Sequence, residues 1–266
     1  MSLVGMCNPL LDISADVPME LFEKYGVTLN NAILAEGKHV PLYDEMVKNY
    51  PVLYIAGGAG QNSIRVAQWM LQIPNKTAYF GAVGDDAYGN QLAECAAADG
   101  VNACYQRHAT EPTGTCAVLV NSGERSLVAN LAAANTFSQD HLDTPAAKAI
   151  IEAAEIYYVT SFFLTVSIDS ILTLANDAAT NNKVFSMNLS APFLIQVPPF
   201  WEGMQKCIPF CDFVFANESE AEAYGEAKGW GKDIQTIALK LAAEPKQSGT
   251  RARTVVFTQG KSNFKS

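Results

Sequence analysis

The sequence has few positively charged residues and few histidines. Its cysteines match no metal-binding motif, and its apolar runs are too short to span a bilayer. Its 18 lysines and arginines stand against 27 aspartates and glutamates, so the net charge is −9, which argues against general binding of nucleic acid or anionic membranes. The three histidines lie far apart and the six cysteines form no C-x-x-C pair, so no structural zinc is indicated. The most apolar stretch, 156–166, is about half as long as a bilayer span. The N-terminus has neither a basic leader nor a long apolar core, so we expect no signal peptide.

The overall composition is that of a globular protein. Of the 266 residues, 49% are hydrophobic and 17% are charged, which indicates a soluble chain with a substantial core in one large or two smaller domains.

Strand-like and helix-like segments alternate along most of the chain. The predicted strands are 3–7, 52–57, 77–83, 156–161, 184–188, 213–216 and 254–258. Helical patterns lie between them, with Ser167 and Asp233 as predicted N-caps. Between 115 and 131 two apolar runs flank a turn at 121–124, which predicts a β-hairpin without a helix. We therefore expect an α/β protein with a mostly parallel sheet, helices on both of its faces and a small β-rich lid.

The stretch 52–63 is the strongest candidate for a ligand site. An apolar run ends in Gly57, Gly58 and Gly60 and then continues into a helical pattern. Strand, glycine turn and helix bring backbone N–H groups close to a ligand, although the same arrangement also serves as a tight connection.

Two nucleotide motifs are incomplete. Gly58 and Gly60 begin a dinucleotide fingerprint whose third glycine position holds Ser63, yet Asp85 and Asp86 follow the next strand, so a dinucleotide oxidoreductase stays open. The tail of a P-loop appears at 260–262, but residue 255, where its first glycine belongs, is valine.

Three polar features each have a structural and a functional interpretation. Asn8 and Asp12 follow the first strand, where they are either turn formers or ligand-binding groups. Asn217 and Glu220 resemble a capping box, and Glu220 is also a candidate for ordering water around Mg²⁺. Arg125 at the hairpin is either a surface arginine or a cation for developing phosphoryl charge.

These residues belong to a set of blocks that together resemble one family, the adenosine kinases within the ribokinase-like sugar and nucleoside kinases. The blocks are 8–12, 56–58, 61–63, 66–70, 112–116, 125–127, 129–135, 162–166, 188–193 and 257–260, and they follow the family's order along the whole chain. The resemblance implies a ribokinase-like three-layer α/β/α sandwich. It also implies ATP-dependent phosphorylation of the adenosine 5′-hydroxyl to AMP, a step of purine salvage.

The resemblance also implies a nucleoside site. Asp12 would hold the ribose 2′- and 3′-hydroxyls, with the backbone of Gly57 and Gly58 and the side chain of Asn62, since a carboxylate accepts two hydroxyl hydrogen bonds. Further substrate-binding positions are Asn8 and Ala59. An apolar slot for adenine would consist of Leu10, Leu34, Cys116, Leu127, Ala129, Leu131 and Phe163, with Phe163 stacking on the base.

The second substrate is ATP with Mg²⁺. By resemblance, ATP would lie near Asn188, Asn217, Thr258 and Gly260, Glu220 would act on magnesium through water, and Arg125 would be the lid cation beside the transferring phosphate. The implied partners are adenosine and ATP, without nucleic acid or membrane. The implied state is a monomer in the cytoplasm, with the nucleus as a further location.

The resemblance also implies a discontinuous division into two domains. We predict a large α/β domain of residues 1–10, 37–51, 61–109 and 135–266, and a small lid of 11–36, 52–60 and 110–134.

Two departures from the family pattern affect the expected activity. Ala59 and Gly60 stand where the family commonly has Ser and Thr or Ser, so only backbone contacts are expected there. The family's Asp-Thr-x-Gly-Ala-Gly-Asp stretch, which holds the aspartate base, lies beyond Ser266. The alternatives are therefore an incomplete kinase sequence, a nucleoside-binding protein without catalysis, or another sugar or nucleoside kinase of the same fold.

Overall fold

The computed structural model describes residues 2–247, 249 and 251–260, which form two compact units. The first unit comprises Met1–Cys7 and Ser138–Ser266, and the second comprises Asn8–Phe137. This grouping does not test the predicted division into a large domain and a lid, which stays a prediction. Among the described residues, no helix combines the length and apolarity that a membrane span requires.

The elements of the described residues alternate much as the sequence predicts. In chain order the strands are β1 (Leu3–Met6), β2 (Leu10–Asp16), β3 (Ala32–Leu34), β4 (Leu53–Gly57), β5 (Thr77–Gly84), β6 (Val101–His108), β7 (Thr115–Asn121), β8 (Glu124–Asn130), β9 (Ile156–Thr160), β10 (Val184–Asn188), β11 (Phe213–Asn217) and β12 (Thr254–Thr258). The α-helices are α1 (Met19–Tyr25), α2 (Val40–Asn49), α3 (Ala59–Leu71), α4 (Ala87–Ala98), α5 (Pro145–Ala153), α6 (Ile168–Thr180), α7 (Phe193–Gln196), α8 (Pro198–Cys207), α9 (Glu218–Ala227) and α10 (Ile234–Ala243).

The first unit contains a parallel sheet. Its strands lie in the order β12-β11-β10-β9-β1, and every neighbouring pair is parallel. Helices connect these strands, and the predicted N-caps Ser167 and Asp233 each accept a hydrogen bond from a backbone N–H three residues on. The predicted α/β architecture with a mostly parallel sheet is confirmed.

The second unit holds the parallel pair β5–β6 and a mixed sheet in the order β3-β8-β7-β2-β4. In this mixed sheet β7 and β8 form the predicted hairpin, with Ser122 and Gly123 in the left-handed region at its two-residue turn. Parallel pairing joins β2 to β7 and β3 to β8, and antiparallel pairing joins β2 to β4.

The two faces of the mixed sheet have different surroundings. One face packs against α1 and α2 through a buried cluster that includes Ile13, Ala15, Phe22, Leu42, Met46, Ala117, Leu119 and Val128. Because successive strand residues point to opposite sides, Asp12 lies on the other face, which we call the Asp12 face. Helices α1 and α2 therefore pack on the opposite face, and the Asp12 face carries a second, smaller apolar cluster.

Three of the described strands, β2, β3 and β6, are not among the predicted strands, and β2 and β6 are the longer two. Asp12 was expected in a turn beyond the first strand, but it lies in the middle of β2, where Ile13 and Ala15 alternate with Asp12 and Ser14. The pair Asn8-Pro9 and the polar residues concealed this alternation. Strand β6 alternates too weakly between apolar and polar residues to be distinguished from a loop.

Arg253 binds the C-terminal part of the first unit together. Its side chain is buried and donates hydrogen bonds to five backbone carbonyl oxygens, those of Cys211, Leu241, Glu244, Ile208 and Pro245. These carbonyl groups lie at helix ends and turns, and those of Leu241 and Ile208 also accept a backbone N–H, from Glu244 and Cys211. The guanidinium, with its five N–H donors, therefore satisfies acceptors from several elements at once.

We predict that Arg253→Met lowers the free energy of unfolding by about 3 kcal/mol, because buried carbonyl groups lose their donors. Denaturant titration followed by circular dichroism measures this loss. The control Lys232→Met removes an exposed ion pair with Glu226 and should leave the unfolding midpoint unchanged. Equal midpoints for the Arg253 variant and the wild type would contradict the assigned role.

Candidate functional site

Strand register places Asp12 among the predicted adenine-binding residues. Asp12 is opposite Cys116, Cys116 is opposite Ala129, and Ala129 is opposite Leu34, so the four residues form one row across β2, β7, β8 and β3. Directly paired residues point to the same side of a sheet. The row therefore gathers a carboxylate and three apolar side chains on the Asp12 face.

Five of the seven residues of the predicted apolar slot belong to the second apolar cluster of this unit. Leu10, Cys116, Val118 and Ala134 are buried there, and Leu127, Ala129 and Leu131 pack against them. Leu34 is 57% exposed at the end of the row. Burial raises the pKa of the Cys116 thiol, and the charge of Asp12 raises it further, so Cys116 is a neutral apolar group.

Asp12 occupies an environment that disfavours its charge. Burial raises the pKa of Asp12 to about 6, although the positive charges of Arg65 and Arg125 act in the opposite direction. At neutral pH the carboxylate is ionised and accepts hydrogen bonds, and below about pH 6 it becomes protonated. Asp12 is thus a partly desolvated acceptor beside an apolar surface.

The glycine turn lies directly against this carboxylate. A Cβ atom on Gly57 would be 2.1 Å from Asp12 Oδ1, and one on Gly58 would be 2.4 Å from the backbone oxygen of Asn8. Gly58 also has φ of +91° at the N-cap of α3. Only glycine fits both positions, so the backbone of β4 and α3 approaches Asp12 more closely than side chains would allow.

The remaining predicted nucleoside-binding residues surround the turn. Asn62 lies in the first turn of α3, and its Oδ1 accepts a hydrogen bond of 3.1 Å from Arg65. Asn8 is buried, and its Nδ2 donates to Asn135 Oδ1 at 3.0 Å. Ala59 begins α3 with an exposed side chain.

Arg125 lies on the Asp12 face near the hairpin turn. It is opposite Val120 in the register, and its side chain is exposed. Its positive charge lowers the pKa of Asp12, which places it within electrostatic range of the carboxylate. An exposed cation beside the row fits the predicted lid cation.

Asp86 has a structural role, whereas the oxidoreductase alternative would require a carboxylate here to bind ribose. Its carboxylate caps α4 by accepting from Gly89 N–H and also accepts from the backbone N–H and hydroxyl of Thr113. Burial works against ionisation, but these hydrogen bonds outweigh it and lower the pKa of Asp86. A carboxylate engaged in this way has little capacity left for a ribose.

The predicted ATP-binding residues lie at one edge of the parallel sheet in the first unit. Asn188, Asn217 and Thr258 are the last residues of the neighbouring strands β10, β11 and β12, and Asn217 is paired with Thr258. Gly260 follows, and its N–H donates to Glu218 Oε1 at 3.1 Å. Ligands of open α/β sheets bind at this carboxyl edge. The P-loop-like residues 261 and 262 lie outside the described residues.

Asn217 and Glu220 form the predicted capping box. Glu220 accepts from the backbone N–H and the side-chain amide of Asn217, each at 2.9 Å, and the Glu220 N–H donates to Asn217 Oδ1. Burial raises the pKa of Glu220, and the Asn217 N–H partly offsets this rise. Both carboxylate oxygens already accept a hydrogen bond, so their remaining lone pairs suit contact with water better than direct coordination of a metal. Within the described residues, no three His, Cys, Asp or Glu side chains gather as a metal cluster.

Phe163 differs from the other predicted substrate contacts. It belongs to the first unit, in a short 3₁₀ segment Ser161–Thr165, and its ring is fully buried. Stacking on a base would require a free face of the ring, so a neighbouring group would have to move first.

A surface groove of about 610 Å³ adjoins the glycine turn. It lies between α3 and the end of α4 and includes Asn62, Arg65, Trp69 and Asp99. Of the predicted nucleoside-binding residues it contains Asn62 alone. The groove is therefore adjacent to the row and does not coincide with it.

Arg65 and Asn135 are polar contacts of the site that the sequence did not indicate. Arg65 looks like a surface residue of an amphipathic helix, and Asn135 looks like a loop residue beyond a strand. Asn135 contacts Asn8, which is 127 residues away, and the charge of Arg65 acts on Asp12, which is 53 residues away, so local spacing carries no signal for either interaction.

The fold and its polar groups are those of an α/β protein that binds small molecules. The mostly parallel sheet has polar residues at its carboxyl edge, and the mixed sheet has a carboxylate among apolar groups. Residues 19–263 match the family model described as pfkB family carbohydrate kinase. The chain belongs to the pfkB family of carbohydrate kinases.

Similar proteins narrow this assignment. Adenosine kinase 2 of Arabidopsis thaliana is 54% identical over 97% of this chain and 74% of its own length. The structure resembles Anopheles gambiae adenosine kinase in complex with P1,P4-di(adenosine-5) tetraphosphate, with a TM-score of 0.85, 49% identity, and coverage of 97% of this chain and 77% of that one. Apo adenosine kinase of Trypanosoma brucei brucei has a TM-score of 0.93 at 35% identity, with coverage of 97% and 79%.

The chain spans about three quarters of the length of these relatives. The predicted resemblance to the adenosine kinases, the ribokinase-like fold and the class of phosphotransferase with a hydroxyl acceptor are confirmed.

We predict that Gly57→Ala destabilises the second unit, because the new methyl group would displace the Asp12 carboxylate. The expected loss of unfolding free energy is about 1–3 kcal/mol, the usual range for an overpacked site. The matched control is Gly37→Ala, because a Cβ there meets nothing within 4 Å. Denaturant titration of both variants checks the prediction, and equal stabilities would contradict it.

Proposed function

We propose that the chain binds adenosine on the Asp12 face and ATP at the carboxyl edge of β10–β12, and transfers the γ-phosphoryl group to the adenosine 5′-hydroxyl. The observation that carries the proposal is the row of Asp12, Cys116, Ala129 and Leu34, which joins a hydroxyl acceptor to an apolar wall. The relatives named adenosine kinase support the choice of nucleoside.

Ribose binds to the polar end of this row. The ionised Asp12 accepts hydrogen bonds from the 2′- and 3′-hydroxyls, and the backbone of Gly57 and Gly58 approaches the sugar because neither residue has a side chain. The side chain of Asn62, in the first turn of α3, also binds the ribose. Holding two vicinal hydroxyls orients the sugar, and orientation supplies much of the rate enhancement in phosphoryl transfer.

Adenine packs on the apolar end of the row. Leu10, Cys116, Leu127, Ala129 and Leu131 supply a surface that a bare sugar does not need, and exposed Leu34 borders it. This surface favours a nucleoside over a simple sugar. Phe163 is proposed to stack on a base once its ring is uncovered, and Asn8 and Ala59 support the glycine turn.

The phosphate groups are held by a second set of residues. Asn188, Asn217, Thr258 and Gly260 contact ATP, and Arg125 balances charge on the transferring phosphoryl group. Glu220 would hold Mg²⁺ through water, and the ion would neutralise phosphate charge. The proposal includes a monomer that acts in the cytoplasm, with the nucleus as a further location.

A second candidate is a nucleoside-binding protein without catalysis. It would use the Asp12 face alone, since the row of Asp12, Cys116, Ala129 and Leu34 offers contacts to ribose and to an apolar base. Another sugar or nucleoside kinase is the alternative within the family, and a bare sugar as its substrate would not require the apolar row.

Calorimetric titration and a transfer assay separate these candidates. We expect this chain to bind adenosine saturably, and to bind neither ribose nor NADH in that way. Formation of AMP from adenosine and ATP–Mg²⁺ would establish the kinase, and adenosine binding without AMP would favour the second candidate. Absence of adenosine binding would refute the proposal, and saturable NADH binding would favour an oxidoreductase.

We predict that Asp12→Ala weakens adenosine binding by about 100-fold or more, because two hydrogen bonds to a charged acceptor are lost. ATP binding should change little, since the ATP residues belong to other strands. The matched control is Asp16→Ala, because Asp16 is exposed on the same face at the end of β2. Titration of each variant with both ligands provides the measurement, and equal losses for the two ligands would count against the ribose role.

A further inference from the structure

Arg65 connects three elements around the glycine turn. Its Nη1 donates to the backbone oxygen of Ala56 at 2.5 Å and to Asn62 Oδ1 at 3.1 Å, and its Nε donates to Asp99 Oδ2 at 2.5 Å. The contacts belong to β4, to the first turn of α3 and to the C-cap of α4. A planar guanidinium held at three points has little freedom to rotate.

These contacts determine which way the Asn62 amide faces. A guanidinium has donors and no acceptor, so the end of the Asn62 amide that faces Arg65 must be the oxygen and not the NH₂ group. The Asn62 NH₂ group is therefore directed away from Arg65.

A fixed NH₂ group complements the Asp12 carboxylate. The ionised carboxylate only accepts hydrogen bonds, and the amide NH₂ only donates them. A hydroxyl group does both at once, whereas a deoxy position does neither. Sites built to hydrogen-bond a hydroxyl discriminate strongly against analogues that lack it.

We infer that Arg65 is a positioning residue for ribose recognition, which fixes the Asn62 amide with its NH₂ group available to a ribose hydroxyl and so selects ribonucleosides over deoxyribonucleosides. This inference rests on the proposed function. It assigns Arg65 no contact with the substrate.

The charge of Arg65 has a second effect on the same site. Arg65 from α3 and Arg125 from β8 both lower the pKa of Asp12. The thiol of Cys116 from β7 is neutral, and the charge of Asp12 raises its pKa. The positive charge of Arg65 lowers the pKa of Asp12 and extends the ionised form to lower pH. Removing this charge should move the pH at which adenosine affinity is lost upwards from about 6.

The test measures dissociation constants of wild type, Arg65→Met and Arg65→Lys for adenosine, 2′-deoxyadenosine and 3′-deoxyadenosine between pH 5 and 8. For Arg65→Met we expect the preference for adenosine over at least one deoxy analogue to fall about 10-fold, the value of one hydrogen bond. We also expect its affinity to be lost at a higher pH. Arg65→Lys keeps the charge and should retain the wild-type pH profile while recovering part of the preference.

Protonation of Asp12 at acid pH does not destabilise the folded protein, so unfolding caused by Asp12 does not explain the expected loss of affinity. The pKa of Asp12 is raised in the folded protein, so the folded state binds the proton more tightly than the unfolded state does. The stability contributed by Asp12 therefore increases as the pH falls through 6.

A double-mutant cycle distinguishes positioning from a general loss of structure. At pH 8, where Asp12 is ionised, Arg65→Met in an Asn62→Ala background should leave the ribose preference unchanged, because the amide through which Arg65 acts is absent. The matched control is Arg107→Met, since Arg107 is an exposed arginine whose Nη1 contacts another asparagine oxygen, that of Asn90, at 2.9 Å. It should alter neither the preference nor the pH profile.

The outcomes separate this inference from the proposed function. Adenosine binding with an unchanged preference and pH profile in Arg65→Met would overturn the inference and leave the proposed function intact. An equal loss of preference in the Asn62→Ala background would also overturn it. Absence of adenosine binding by the wild type would overturn both.

Discussion

A side chain at residue 57 would occupy the space of the Asp12 carboxylate, since its Cβ would lie 2.1 Å from Oδ1. The candidate nucleoside site depends on this close approach. It requires Gly57 at the end of β4, the left-handed Gly58 at the start of α3, and the antiparallel pairing that brings β4 beside β2. With backbone rather than side chains next to Asp12, the carboxylate is desolvated and its pKa is raised, yet one side of it stays accessible to a ligand.

The two faces of the mixed sheet separate stability from recognition. One face buries large side chains against α1 and α2 and so stabilises the sheet. The Asp12 face carries the smaller cluster around Leu10, Cys116 and Ala134 and leaves Leu34 exposed. Strand alternation makes this division possible, because neighbouring residues of one strand serve different faces. Ile13 contributes to the core while Asp12, its neighbour, remains available for binding.

Polar groups in both units serve first as structural elements. Asn217 and Glu220 cap α9, and Asp86 caps α4 while it also binds Thr113. The cap on α9 places a carboxylate at the carboxyl edge of the parallel sheet, which is the edge of the proposed ATP site, so capping and the proposed ligand binding are compatible there. The carboxylate of Asp86 is engaged on several sides by N–H and O–H donors, which explains why it is unsuited to the ribose role of a dinucleotide site.

The sequence by itself determined the features that depend on neighbours within a few residues. The alternation of strands and helices, the hairpin at 121–124, the caps at Ser167, Asn217 and Asp233, and the order of the family blocks could all be predicted, because turns and caps form between residues three or four positions apart. Tertiary structure alone decided that Asp12 lies within a strand, that Asp12, Cys116, Ala129 and Leu34 form one row, and that the charge of Arg65 lowers the pKa of Asp12. Strand register over about a hundred residues is set by the packing of both sheet faces, and local spacing contains no record of it.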